Sequence, residues 1–353
     1  MLGERLRLAR KASGLSLRDL AQRVGVSAQA ISKYERGLDV PGSAVLLKLA
    51  ASLGVRPDYL LRPQPVIGVR PAFRSRPSRL SARALSHIMA RVEEWVGRYL
   101  AAESFLPPAE RVTFVRPALP DRAVQSLDAV ERAAEQLRHQ WSLGLDPIAN
   151  LTAELEARGI RVGTIRADDA FDALTFSVDD GSPVIVVRDG MPGDRGRFSV
   201  AHELGHLVLE AQAVDPEDAA NRFAAAFLVP AAVVRRELGQ SRRRLSLQEL
   251  VSLKVRYGLS VQAWIRRARD LDVITDSEYR RWMVALRSRG WHRQEPGPSL
   301  TPERPRRLTD LVYRLLSEGL VSESRAAELL GIRVIELRSQ LRPANAPTHS
   351  VRG

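Results

Sequence analysis

The sequence predicts a mainly α protein with one small β-sheet, an α+β chain built in several parts. Three observations carry this. Apolar residues recur at helical spacing through most of the 353 residues. Short β-branched runs bounded by Gly, Asp or Ser-Pro (IRVGTI, LTFSV and PVIVV) are confined to residues 160–187. Two Pro-rich stretches, RPQPVIGVRPAFRSRPSRLS from Arg62 and HRQEPGPSLTPERPRR from His292, break the periodicity. A chain of this length holds two or three domains, each with its own core. The expected segments are 1–62, a basic linker over 63–83, a domain over 84–296, and a Pro-rich linker with a helical segment over 297–353.

At the N-terminus, Leu6, Leu8 and Ala12 lie on one helical face, and Gly14 ends that helix. Ser16 then stands as N-cap of LRDLAQRVG, with Asp19 in a capping-box-like position. Ser27 caps AQAISKYERG, which Gly37 closes, and SAVLLKLAASLG and PDYLL add two more helices. After the first Pro-rich stretch, ALSHIMARVEEWVGRYLAAESFL and DAVERAAEQLRHQWSLG make residues 84–145 mainly helical. The three strands follow, and DGMPGDRG turns from the last of them into a helix. The remainder is helical. Its last part, LTDLVYRLLSEGLVSESRAAELLGIRVIELRSQL, ends in a helix, Gly, helix pattern that fits either a second helix-turn-helix or a hairpin that packs on a neighbour. Packing is the expectation.

Composition narrows the function. The formal net charge is +13. Residues 1–62 carry 11 Lys and Arg against 5 acids, and residues 63–83 add five Arg and no acid, an asymmetry that suits a nucleic-acid surface. The absence of Cys excludes disulfides, thiolate chemistry and Cys-ligated metals, so any metal site must use His, Asp or Glu. No apolar run approaches the roughly 18 residues of a membrane span, and MLGERLRLARKASG lacks the apolar core of a signal peptide. A cytoplasmic location is expected.

LSLRDLAQRVGVSAQAISKYERG has the parts of a helix-turn-helix. Ala21 is small where two helices cross, Gly25 permits the turn, and Val26 and Ile31 are core positions. The third helix would then present Ala28, Gln29, Ser32 and Lys33 to base edges, with Arg36 on the backbone. Residues 1–62 resemble the Xre, phage-repressor-like family. Leu17 is a departure, since many members carry a polar residue there. The resemblance implies an all-α DNA-binding domain, a double-stranded operator as partner and possible homodimerisation.

The stretch SVAHELGHLVLE contains His-Glu-x-x-His. His202 and His206 fall one turn apart on one helix face, close enough to share an ion, while Glu203 projects about 100° away and stands beside the metal. Glu210 lies about 12 Å of helical rise beyond His202, too far to share it. Glu217 is better placed at the start of the next helix. Yet DPED there reads equally well as an Asp215 N-cap, a first-turn Pro216 and acids on the helix dipole. Spacing leaves both readings open.

RFSVAHELGHLVLE followed by EDAANRFAAAFLVP resembles the ImmA/IrrE family of metallopeptidases. The likeness extends through HQWSLGLDPIANLTAELEARGIRV and LVSLKVRYGLSVQAWIRRARDL, over roughly residues 84–296. It implies a zincin-like metallopeptidase domain that holds Zn2+ through His202, His206 and Glu217, the last from a Glu-x-x-Ala-Asn motif at 217–221. It also implies Asn221 as an orienting neighbour, Glu203 as general base, and a protein substrate, typically a helix-turn-helix repressor encoded nearby. Alignment of an extended substrate along PVIVV by strand addition is a further expectation. His139, Tyr257, Arg195 and Arg197 are unranked candidates for oxyanion stabilisation. The rival expectation is a transcription factor or antitoxin-like repressor whose peptidase-like domain senses a ligand or partner without cutting.

Overall fold

The computed structural model describes residues 2–55, 57–61, 82–178, 181–291 and 294–341; the basic linker expected over 63–83 lies almost wholly outside them. The first helices are α1 (Leu2–Ala12), α2 (Leu17–Val24), α3 (Ala28–Glu35), α4 (Ser43–Leu53), α5 (Pro57–Leu61) and α6 (Ala82–Glu103). Next come β1 (Ala123–Val124), α7 (Leu127–Gln140), α8 (Leu151–Ala157), β2 (Arg161–Ile165), β3 (Ala173–Ser177) and β4 (Pro183–Arg188). They lead to α9 (Gly193–Val208), β5 (Glu210–Ala211), α10 (Pro216–Leu228), α11 (Ala231–Leu238), α12 (Leu247–Tyr257), α13 (Val261–Asp270) and α14 (Asp276–Ser288). The chain ends in α15 (Arg307–Ser317), α16 (Glu323–Leu330) and α17 (Val334–Leu341). The α+β expectation holds. Among the described residues, no helix is long and apolar enough to cross a membrane.

Packing divides the chain into two units, and the division differs from the sequence segmentation. Among the described residues, one unit joins those up to 61 with 82–111 and 306–341; the other holds those of 112–305. Helical periodicity shows that α6 buries a face, not against what. In the fold α6 packs on α1, α15 and α16, so the helical lead-in goes with the N-terminal domain. His87 on α6 lies 2.6 Å from the Ala12 carbonyl through Nε2.

In the first unit, local chemistry fixes the helix ends. The Ser16 hydroxyl accepts from the Asp19 amide while the Asp19 carboxylate accepts from the Ser16 amide, a full capping box. Gly25 ends α2 at φ 79°, where a side chain would be strained. Leu6, Leu20, Ala21, Val24, Ile31 and Leu49 form the core, and Arg10 ties α1 to the end of α3 by a two-pronged pair with Glu35 at 2.5 and 2.8 Å. Ser16→Ala is expected to cost about 1 kcal/mol in urea unfolding; an unchanged midpoint would show that the box contributes nothing net.

The second unit is built on a three-stranded sheet of order β2-β4-β3, with β2 parallel and β3 antiparallel to β4. A small parallel pair joins β1 and β5. The central position of β4 corrects one expectation. PVIVV has both edges hydrogen-bonded, so no peptide can add to it, and the free edges belong to β2 and β3.

The hydrogen bonds from Arg188 to the Asp172 carbonyl and from Val178 to the Ser182 carbonyl put even-numbered β3 residues in register with β4. The backbone groups of Ala173, Thr175 and Ser177 therefore face outward.

A buried ionic network pins the helices around α10. The Arg267 guanidinium, fully buried, donates to both oxygens of Glu131 and to the Val229 carbonyl; Arg222 donates to Glu131 at 3.0 Å and pairs with Asp270 at 3.6 Å.

The second Pro-rich stretch is not a free linker where it is described. The Gly193 amide, at the start of α9, donates to the Leu300 carbonyl at 2.9 Å, and a Cβ there would meet the Thr301 carbonyl oxygen at 2.4 Å. Glu303 accepts from Arg197 at 2.6 Å and from the Thr152 amide at 2.8 Å. Lys254, also buried, lies 3.4 Å from Asp194 and 3.6 Å from Glu295 and donates to the Pro296 carbonyl. Residues 295–303 thus strap the N-terminal end of α9.

Candidate metal centre

α9 buries Val200, Ala201, Leu204, Leu207 and Val208 in the core of its unit and turns His202 and His206 toward α10. Gly205 permits the close approach of the two helices: a Cβ there would stand 3.1 Å from Phe223 and 3.2 Å from the Cα of Ala220. At the start of α10, Asp215 accepts from the amides of Glu217 and Asp218 at 2.9 and 3.0 Å, as an N-cap does, with Pro216 in the first turn. That cap aims Glu217 back over α9. Its carboxylate oxygens lie 3.3 Å from His202 Nε2 and 3.4 Å from His206 Nε2, and the two Nε2 atoms are 3.0 Å apart. The capped turn therefore also leaves the Glu217 carboxylate facing both imidazoles.

Among the described residues this is the group of His and carboxylate side chains whose ligand atoms converge, all within 4.8 Å of one another. A tetrahedral zinc with bonds of 2.0–2.1 Å has donor atoms about 3.3 Å apart. Separations of 3.0, 3.3 and 3.4 Å, and a donor set of two imidazoles and a carboxylate, fit such an ion. Burial holds the His202 imidazole below its usual pKa against the opposing pull of Glu217, which favours the neutral form a metal requires. Nδ1 of His202 lies 3.1 Å from Asn221 Oδ1. With the proton on Nδ1, the Nε2 lone pair is free for a metal.

Glu203 lies on the neighbouring face, 4% exposed. Burial, and then the Glu217 carboxylate, push its carboxyl up to about 8, opposed by a hydrogen bond from the Thr175 backbone. That amide sits on the outward edge of β3. The second carboxyl oxygen, Oε2, is buried and has no hydrogen-bond partner among the described residues. Sequence reasoning missed Thr175, because a backbone amide leaves no mark in the residue type. It also missed Gly205, for which its place between the two candidate ligand helices was the available signal.

The other candidates fall elsewhere. Glu210 lies in β5 and pairs with Arg122. Arg195 holds Asp172, Arg197 holds Glu303, and the Tyr257 hydroxyl donates to Glu237 at 2.6 Å. His139 is exposed at the end of α7. On α3, Gln29, Lys33 and Arg36 are exposed and Ala28 and Ser32 half-buried, while Ile31 faces the core; the Arg36 Nε donates to the Ser32 carbonyl at 3.3 Å.

Two known families match separate stretches of the chain. Residues 6–60 match the helix-turn-helix family of the Xre-like kind, and residues 155–269 match the IrrE N-terminal-like domain of peptidase family M78. The chain therefore carries an Xre-like helix-turn-helix domain and an ImmA/IrrE-like peptidase domain. Two relatives match the first of these. The SPbeta prophage-derived uncharacterized HTH-type transcriptional regulator YonR of Bacillus subtilis is 40% identical over 62 residues, 18% of this chain and 57% of that protein. Repressor protein C2 of Salmonella phage P22 is 42% identical over 62 residues, 18% of this chain and 29% of its own length.

Proposed function

We propose that the chain is a DNA-targeted zinc endopeptidase of the cytoplasm that cleaves a helix-turn-helix repressor and so controls gene expression. The observation that carries this reading is the convergence of His202, His206 and Glu217 beside the buried carboxyl of Glu203. Zinc bound there supplies a Lewis acid that polarises the scissile carbonyl and acidifies water. His202 and His206 offer Nε2, Glu217 a carboxylate oxygen, and Asn221 holds the His202 ring and its tautomer. Glu203 accepts the proton of the attacking water on Oε2 and returns it to the leaving amine. An extended peptide would add to the outward edge of β3, beside Glu203. On the DNA side, α3 would present Ala28, Gln29, Ser32 and Lys33 to the operator, with Arg36 on the backbone and a homodimer reading two half-sites. Such a reader would bring the peptidase to repressors seated on the same DNA.

The test is metal analysis of freshly purified protein, followed by incubation with the repressors encoded beside its gene. About one zinc per chain and cleavage that a zinc chelator abolishes are expected. Zinc-replete protein that cuts none of them would leave a sensing module in place of an enzyme. Asn221→Ala is expected to weaken zinc binding about 10- to 100-fold in a competitive chelator titration; unchanged affinity would remove its orienting role.

A further inference from the structure

The C-terminal helices repeat the N-terminal reader almost bond for bond. α2 and α3 are eight residues each, separated by Gly25, Val26 and Ser27; α16 and α17 are eight residues each, separated by Gly331, Ile332 and Arg333. Ser16 caps α2 through the Asp19 amide, and Ser322 caps α16 through the Arg325 amide. Gly25 stands at φ 79°, ψ 37°, and Gly331 at φ 71°, ψ 29°. The next amide, Val26 or Ile332, donates five residues back, to Ala21 at 3.1 Å and to Ala327 at 2.9 Å. Buried positions coincide: Leu20, Ala21 and Ile31 in the first, Ala326, Ala327 and Leu337 in the second. The preceding helices, α1 and α15, are 11 residues each and close alike, on Gly14 and Gly319 at φ 68° and 69°.

From this repeat we infer that α15–α17 is a second reader of double-stranded DNA, in which α17 enters the major groove with Val334, Ile335, Arg338 and Ser339. These occupy the positions of Ala28, Gln29, Ser32 and Lys33.

Exposure separates a reader from a look-alike. α12 and α13 share the turn, with Gly258 at φ 68° and Ser260 as cap, but Val261 and Ile265, at two of the four reading positions, are fully buried. On α17 Ile335 is 72% exposed, Arg338 and Ser339 are exposed, Leu337 is buried, and Val334 is half-buried against the core as Ala28 is on α3. A hairpin built only for packing would bury more.

The chemistry suits base edges: a guanidinium for guanine, an aliphatic side chain for the thymine methyl, a hydroxyl for either. Arg338 is held meanwhile by an exposed pair with Glu323 at 2.7 Å, weak enough to exchange for DNA. Residues 307–341 carry five Arg and five acids. Non-specific attraction to phosphate is therefore small, and this reader acts through sequence preference.

The experiment selects short random-sequence duplexes with the full-length chain at low salt and maps each selected duplex by hydroxyl-radical footprinting. Wild type is expected to protect two segments with separate base preferences. Ile335→Ser with Arg338→Ala changes two exposed side chains, and its thermal midpoint should match wild type. That variant is expected to lose one segment and to bind its selected duplex roughly tenfold or more weakly. Gln29→Ala with Lys33→Ala loses the other segment. A single protected segment, or undiminished binding by the α17 variant, overturns the inference while leaving α3 as reader. A change confined to self-association, by light scattering, would assign α17 to protein contact and overturn it as well. Failure of wild type to select any duplex overturns both readers.

Discussion

Glu203→Gln is expected to lower cleavage of the substrate repressor by about 10²- to 10⁴-fold, the range a positioned general base contributes. Gln is nearly isosteric and its carbonyl can still accept from the Thr175 amide, so packing in a pocket where Glu203 is 4% exposed should survive. Gln cannot accept a proton. Because Glu203 lies outside the converging group of His202, His206 and Glu217, zinc content should stay at the wild-type level. The check is kcat/KM on the repressor beside zinc analysis of the same preparation. Activity within a few-fold of wild type would take proton transfer away from Glu203.

Arg267→Ala is expected to cost about 3–5 kcal/mol, because it breaks a buried pair and leaves its carboxylate with Arg222 as the remaining counter-charge. The guanidinium is fully buried, and its removal takes two donors from the Glu131 carboxylate and one from the Val229 carbonyl. Burial pushes the Glu131 carboxyl up, but the hydrogen bonds and charges of Arg267 and Arg222 outweigh it and hold the group below its ordinary range. A carboxylate depressed in this way stabilises the fold above its unfolded pKa, and that contribution is lost as the pH falls through the folded value. The cost of Arg267→Ala should thus be full at neutral pH and shrink in acid. Urea unfolding across that range checks it. A loss under about 1 kcal/mol at neutral pH would show that Arg222 alone holds Glu131.

The legible parts of the molecule were those set by neighbours in sequence. Ser16, Asp19 and Gly25 act within one turn, so their residue types announce the cap and the turn. His202 and His206 are fixed by one helical repeat. Glu217 was ambiguous for a physical reason: acids near a helix N-terminus serve the dipole whether or not they also reach across to another helix, and here the Asp215 cap and the approach to both imidazoles occur together. The strand for substrate addition was misread because PVIVV is apolar throughout. A continuous run with Val184, Ile185 and Val186 fully buried is what a central strand shows. Nothing local told that β2 and β3, each paired on one side only, carry the free edges. Nor could proline content tell a loose connector from a segment docked on a glycine.

The strap over Gly193 bears on how such a protein can be assembled and dissected. A gene fusion that borrowed the second unit at the apparent boundary, residue 296, would leave Arg197 and the Thr152 amide without Glu303 and bare the start of α9. A fragment meant to keep the strap must therefore run through residue 303.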